Sequence, residues 1–173
     1  MNPAVIVVDM LEGNYEHIQA DERDEMKIIP LVRDFLKQCR GKSIPVIFAC
    51  DSFLENDFIF KSRMKPHAIR GTSGVKPLPA LDIEKTDMDQ TLRTMGVDTV
   101  AVCGIHTHFC VLATALDAVC LDFNSIILED LCAAYKTEIH ENCIESYRKS
   151  AVYPVLRVMP SSNFLSEINE PIS

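Results

Sequence analysis

The chain has 173 residues, of which 47% are apolar and 24% charged, and its 17 basic and 25 acidic side chains leave a net charge of −8. This length fits one domain over 1–173 with a sizeable core, and the composition excludes a disordered or low-complexity protein. The acidic balance and the absence of a basic cluster argue against a nucleic-acid partner. The longest early apolar run, Ala4 to Val8, is far short of a membrane span and lacks signal-peptide flanks, so no membrane partner and a cytoplasmic location are expected.

Val5 to Val8 reads as a fully buried strand ending at Asp9. Pro30 to Arg40 reads as a helix with Pro30 in its first turn, Gly41 as C-cap, and Leu31, Val32, Phe35, Leu36 and Cys39 on its apolar side. Val46 to Cys50 is a second buried strand, followed by Asp51 and a long connection over 51–80 without clear period. Thr86 to Met95 reads as a short helix capped by Thr86, with Asp89 at its third position, and stopped by Gly96. Thr99 to Cys103 is a strand, and Thr107 to Leu121 a helix so apolar that it should be largely buried. A strand at Ser125 to Leu128, a helix at Thr137 to Lys149, a strand at Val155 to Met159 and a short helix at Ser161 to Ile168 complete the chain. Alternating apolar strands and helices predict an α/β fold, a three-layer α/β/α sandwich around a mostly parallel sheet of five or six strands. In such sheets ligands bind beyond the carboxyl ends of the strands, which places Asp9, Asp51 and the segment from Gly104 to Cys110 on one rim.

Seven cysteines at irregular spacing do not suit a disulfide scaffold. Cys50, Cys103 and Cys120 lie in apolar surroundings and read as reduced thiols packed as small hydrophobes. Cys110 differs. It falls in the first turn of a predicted helix, where unpaired amides and the positive end of the helix dipole favour a thiolate and an oxyanion. Asp9 reads either as a turn cap working through Asn14 or as a general base. His106, His108, Cys103 and Cys110 are all good zinc ligands, but their side chains should diverge. Asp51 and His67 form a second, incomplete metal-ligand pair. No G-x-G-x-x-G, P-loop or G-x-S-x-G motif is present.

The stretches Val5 to Met10, Pro45 to Asp51, His67 to Gly74, Thr86 to Gly104 and Gly104 to Ala118 resemble the isochorismatase-like cysteine hydrolases, which include nicotinamidases and carbamoylsarcosine amidohydrolases. The resemblance implies a Rossmann-like parallel sheet between helices and a catalytic aspartate, lysine and cysteine. Asp9 and Cys110 match two of these. It also implies a cis peptide before His106, with the amides of His106 and Cys110 forming the oxyanion hole. Two departures stand out. Phe53 replaces a histidine ligand of the nicotinamidase metal site, leaving Asp51 and His67. The stretch between Pro79 and Thr86 is short by about a strand, which leaves Lys85 as the nearest candidate for the lysine and Lys76 as the next.

The resulting expectation is a hydrolase of C–N bonds in a small amide or carbamoyl substrate, acting through a thioester on Cys110. Tyr15, Phe53 and His108 are expected to line the pocket. No cofactor is required, and a divalent metal such as zinc is the only one the residues suggest. The resemblance further implies a homo-oligomer. The rival expectation is a non-catalytic binding or assembly member of the same fold, to which the shortened lysine segment points. A vinyl-ether hydrolase would need no cysteine nucleophile and is disfavoured by Cys110.

Overall fold

The computed structural model describes residues 1–15, 24–62, 64–81 and 92–169. Its strands are β1 (Pro3–Val8), β2 (Val46–Ala49), β3 (Thr99–Ile105), β4 (Asn124–Ala133) and β5 (Leu156–Met159). Its helices are α1 (Glu12–Tyr15), α2 (Asp24–Gly41), α3 (Leu112–Cys120), α4 (Thr137–Arg148) and α5 (Ser161–Asn169). The strands form one all-parallel sheet in the order β2-β1-β3-β4-β5. β1 and β3 occupy central positions and are buried along their whole length, as continuous apolar runs require when helices cover a parallel sheet. α2 and α5 pack against the sheet and meet through the rings of Phe35 and Phe164, 6.2 Å apart. α3 and α4 pack against β4 and β5. No described helix is long and apolar enough to cross a membrane.

Several expectations need correction. α2 begins at Asp24, so Pro30 is interior to it. Asp24 and Glu25 supply the acidic first turn that favours a helix start. Pro30 lies on the exposed side, where the carbonyl it leaves without a partner can reach water, while Ile28, Val32, Phe35, Leu36 and Cys39 anchor the buried side across it. Leu31 is exposed rather than part of that buried side. Gly41 is the last helical residue, and the left-handed conformation that ends the helix falls on Ser43 (φ 56°). The Thr86 and Asp89 cap lies outside the described residues; residues 92–94 are helical and Gly96 (φ 66°) ends that turn as expected.

The segment from Thr107 splits into a wide, π-type turn (Thr107–Val111) and α3, and it is only half covered. Phe109 and Leu121 are exposed, and within α3 only Ala115 and Ala118 are buried. Cys50 and Cys120 are likewise exposed, whereas Cys39, Cys103 and Cys132 are buried. Apolar neighbours in sequence do not by themselves supply a covering element in space.

Where β1 and β3 run side by side, Val8 is the register partner of Gly104. Gly104 has a φ of 116°, and a Cβ there would lie 2.2 Å from the Val8 carbonyl oxygen. Gly104→Ala should therefore destabilise the fold by about 3 kcal/mol or more, from steric overlap and a backbone conformation that alanine resists. A urea melt matching the parent protein would contradict this.

Candidate active site

β1 ends at Val8 and β3 at Ile105, and because they are neighbours their following residues share one rim. Asp9 adopts a left-handed conformation (φ 51°), which aspartate tolerates better than most residues. Three hydrogen bonds hold it. Its amide donates to the Ala49 carbonyl at 2.9 Å, and its own carbonyl accepts from the Leu11 amide at 2.9 Å and from Asn14 Nδ2 at 2.7 Å. Asn14 thus serves the Asp9 backbone and leaves the carboxylate for other work. Asp9 Oδ1 accepts from the Asp51 amide at 2.9 Å, and the carboxyl is also hydrogen-bonded to the Cys110 thiol.

Cys110 sits in the wide turn after β3, where the amides of Phe109 and Val111 both donate to the His106 carbonyl, at 3.0 and 3.2 Å. The Ile105–His106 peptide bond is cis, as the resemblance implied. A backbone hydrogen bond from His106 reaches the Cys110 sulfur. Single wide turns of this kind recur at functional positions.

The electrostatics follow from burial. Desolvation raises the Asp9 carboxyl above the usual carboxylate range, opposed by the Cys110 hydrogen bond, the Asp51 amide, His67 and His106. Desolvation also raises the Cys110 thiol, Asp9 and Asp51 add to the rise, and the His106 backbone bond lowers it. Asp51 is pushed up to about 6, first by burial and then by Asp9. One oxygen each of Asp9 and Asp51 and the Cys110 sulfur all lie within 4.8 Å of one another. The resting pair is therefore a protonated thiol held against a carboxyl group that is primed to accept its proton.

These groups border a cavity of about 550 Å³, a size suited to a small molecule. Its lining includes Asp9, Asn14, Asp51, Phe53, Lys65 and His67 on one side of the chain's order, and His106, Phe109 and Cys110 on the other. A second cleft of about 440 Å³ also borders Asp9, Asp51 and Cys110 and is lined further by Cys50, Ala113 and Asp117.

Of the expected pocket residues, Phe53 lines the larger cavity, but Tyr15 and His108 do not. Tyr15 is buried, with its hydroxyl donating to the Glu25 carbonyl at 3.4 Å. His108 turns away and stacks edge-on against Tyr135, ring centroids 5.5 Å apart. Cys103 lies in the core, and the His106 and His108 rings are 6.1 Å apart, so the divergence of that possible zinc quartet holds. Lys85 lies outside the described residues. Lys76 is exposed and does not line the cavity. Lys65, which does line it, was not singled out in the sequence; it immediately precedes the Pro66-His67 pair.

Asp51 and His67 both reach the cavity but do not make a convincing metal centre. The ring of Phe53, which offers no donor, packs edge-on to His67 at 5.4 Å, and His67 Nδ1 already engages the Lys65 carbonyl at 2.8 Å. Asp9, Asp51 and Cys110 form a group whose donor atoms are close enough to hold a cation, and His67 is not part of it. The described residues do not fit a zinc site of that type.

A family profile for the isochorismatase domain matches residues 3–157. The uncharacterized isochorismatase family protein YecD of Escherichia coli O157:H7 is 38% identical over 84 residues, 48% of this chain and 42% of YecD; the chain's match thus spans less than half of that relative. A probable inactive nicotinamidase of Arabidopsis thaliana is 26% identical over 165 residues, covering 80% of this chain and 84% of the relative. Among solved structures, an isochorismatase-like hydrolase from Alkaliphilus metalliredigens superposes with a TM-score of 0.82 at 25% identity, covering 97% of this chain and all of that one. A zinc complex of pyrazinamidase from Pyrococcus horikoshii gives 0.73 at 26% identity, over 92% and 99% of the two chains.

Burial of Asp9 has a measurable consequence. A carboxyl whose pKa is raised on folding holds its proton more tightly in the folded chain, so its ionised form costs stability above that pKa. The cost disappears at pH below the ordinary aspartate value near 4. Asp9→Asn should therefore raise the melting temperature at about pH 7.5, by about 2–4 °C per kcal/mol recovered, with the gain shrinking toward about pH 4. A lower melting temperature at both pH values would contradict the burial account.

Proposed function

The chain belongs to the isochorismatase family, and on that footing we propose that it is a cysteine-dependent hydrolase of C–N bonds in a small amide or carbamoyl compound. The observation that carries this reading is the hydrogen bond between the Asp9 carboxyl and the Cys110 thiol at the wall of a small-molecule cavity.

Asp9 accepts the thiol proton as the Cys110 sulfur bonds to the carbonyl carbon. The amides of His106 and Cys110 donate to the resulting oxyanion, a contribution of about 10²–10³ in rate per donor. Asp9 then passes its proton to the leaving nitrogen as the C–N bond breaks, which leaves a thioester. Asp9 next takes a proton from water as the water oxygen attacks the thioester carbon, and the thiol leaves with that proton. The position of Asp9 within reach of the sulfur lets one carboxyl serve both halves. A cation beside the thiol would ease the first transfer. The resemblance gives that part to a lysine for which Lys85 is the nearest candidate in the sequence without matching the family pattern, and among the described residues Lys65 is the lysine on the cavity wall. No step runs through a metal.

A non-catalytic member of the family is the second reading. It is favoured by the raised thiol of Cys110 and by the relative named as probably inactive.

A panel of amides and ureas tests the first reading with three proteins. Parent protein should turn over at least one compound, Cys110→Ala should lose on the order of 10³-fold or more, and Asp9→Asn about 10²–10⁴-fold. Equal turnover in parent and variants would refute the mechanism. The acid limb of kcat/KM should lie above pH 4, because the basic form of Asp9 is required and its pKa is raised. Trapping an acyl intermediate separates the two readings. A mass increase on Cys110 after rapid acid quench with a compound of the panel, absent from Cys110→Ala, would support the first reading, and no adduct with any compound would support the second.

A further inference from the structure

His106 opens the wide turn without a side-chain cap. The turn is gripped instead by α4. Thr107, the next residue, is fully buried, and its hydroxyl is hydrogen-bonded to Nδ1 of His140 at 2.8 Å. The Cys143 thiol donates to the Thr107 carbonyl at 3.8 Å. His140 and Cys143 lie three residues apart on α4, so one face of that helix presents both. Neither side chain borders the large cavity or the second cleft. A buried hydroxyl is costly to leave without a partner, so the bond to His140 fixes where Thr107 can sit. The preceding ring, that of His106, meets α2 instead, with Nε2 3.5 Å from Oε1 of the buried Glu25.

Thr107 stands in the chain between the two amides that the proposed mechanism needs, those of His106 and Cys110. We propose that His140 is a positioning residue that holds the oxyanion-binding turn in place through Thr107. The inference rests on the amidase reading for what the turn does, though not for how the turn is held. Oxyanion donors contribute only when they are aimed at the place where charge develops, and small misplacements are costly. Burial pushes the His140 imidazole below its ordinary value, against the pull of Glu129, Glu141 and Asp24. The ring is therefore neutral at about pH 7, with one donor and one acceptor nitrogen, and the uncharged amide of Asn can stand in for it.

The test sets His140→Leu, which removes the bond, beside His140→Asn, which can restore it. With a panel compound that the parent protein turns over, His140→Leu should lower kcat about 10–100-fold and leave KM within about twofold, because oxyanion contacts form only in the transition state. His140→Asn should recover kcat to within about threefold of the parent. A second readout needs no turnover: hydrogen exchange of the Phe109 and Val111 amides, which donate to the His106 carbonyl, measured on the full chain. Exchange should quicken about tenfold or more in His140→Leu and less than about threefold in His140→Asn, with the amides of Val5 to Val8 unchanged. Thr107→Val removes the same bond from its other end and should reproduce the His140→Leu pattern, which keeps a measurement in hand should His140→Leu fail to fold. Equal losses in His140→Leu and His140→Asn, as a packing role predicts, would overturn the inference. So would a raised KM at constant kcat, unchanged exchange in His140→Leu, or quickened exchange with unaltered kcat. Exchange that responds as expected in a protein whose parent hydrolyses no compound of the panel would instead sink the amidase reading alone.

Discussion

Strands β1 and β3 run together until Val8 meets Gly104, and there the missing side chain lets the two backbones approach more closely than any other residue would allow. That approach sets the spacing of everything that follows the strands. Asp9 comes next on one side, and the turn carrying His106 and Cys110 on the other. Neither reacting group needs a long side chain to reach its partner, because the sheet has already brought their backbones together. The hydrogen bonds from Asn14, Leu11 and Asp51 then fix the orientation of Asp9. A rigid scaffold thus does the positioning on which proximity effects depend.

The same compactness creates an electrostatic problem. Two carboxyl groups and a thiol share a few ångströms of largely desolvated space. Desolvation and mutual repulsion favour the protonated forms, which makes Asp9 a better base and Cys110 a poorer acid. The His106 backbone bond is a counterweight at the sulfur, and His67 and His106 act at Asp9. The arrangement favours transfer of the proton together with attack over a standing thiolate.

Much of this was readable from residue order, for identifiable reasons. The runs Val5 to Val8 and Thr99 to Cys103 are unbroken and apolar, as strands buried on both faces must be, and the rule that sites gather at strand ends then picked out Asp9 and Cys110. What failed involved coverage and distance. The apolar character of Thr107 to Cys120 did not reveal that Phe109 and Cys120 would face outward, because no local signal says which element packs on top. Pro30 suggests a helix start, but the acidic residues one and a half turns earlier begin the helix and an exposed location makes the proline tolerable inside it. The chemical type of Tyr15 suits a pocket wall, yet its hydroxyl is spent on a backbone carbonyl. The meeting of Glu25 with His106 joins distant parts of the chain with no shared spacing, and only the packing of α2 against the sheet brings it about.

Cys110 and Asp9 stand at the boundary between two clefts instead of at the end of one. On the proposed chemistry, this separates the traffic of the two half-reactions. An acyl group resting in the larger chamber would leave the smaller one, beside Cys50 and Asp117, as a back door through which solvent reaches the thioester before the first product's companion fragment departs. Deacylation would then be governed by hydration of that rear chamber, and bulky side chains placed there would trap the acylated protein while leaving its formation intact.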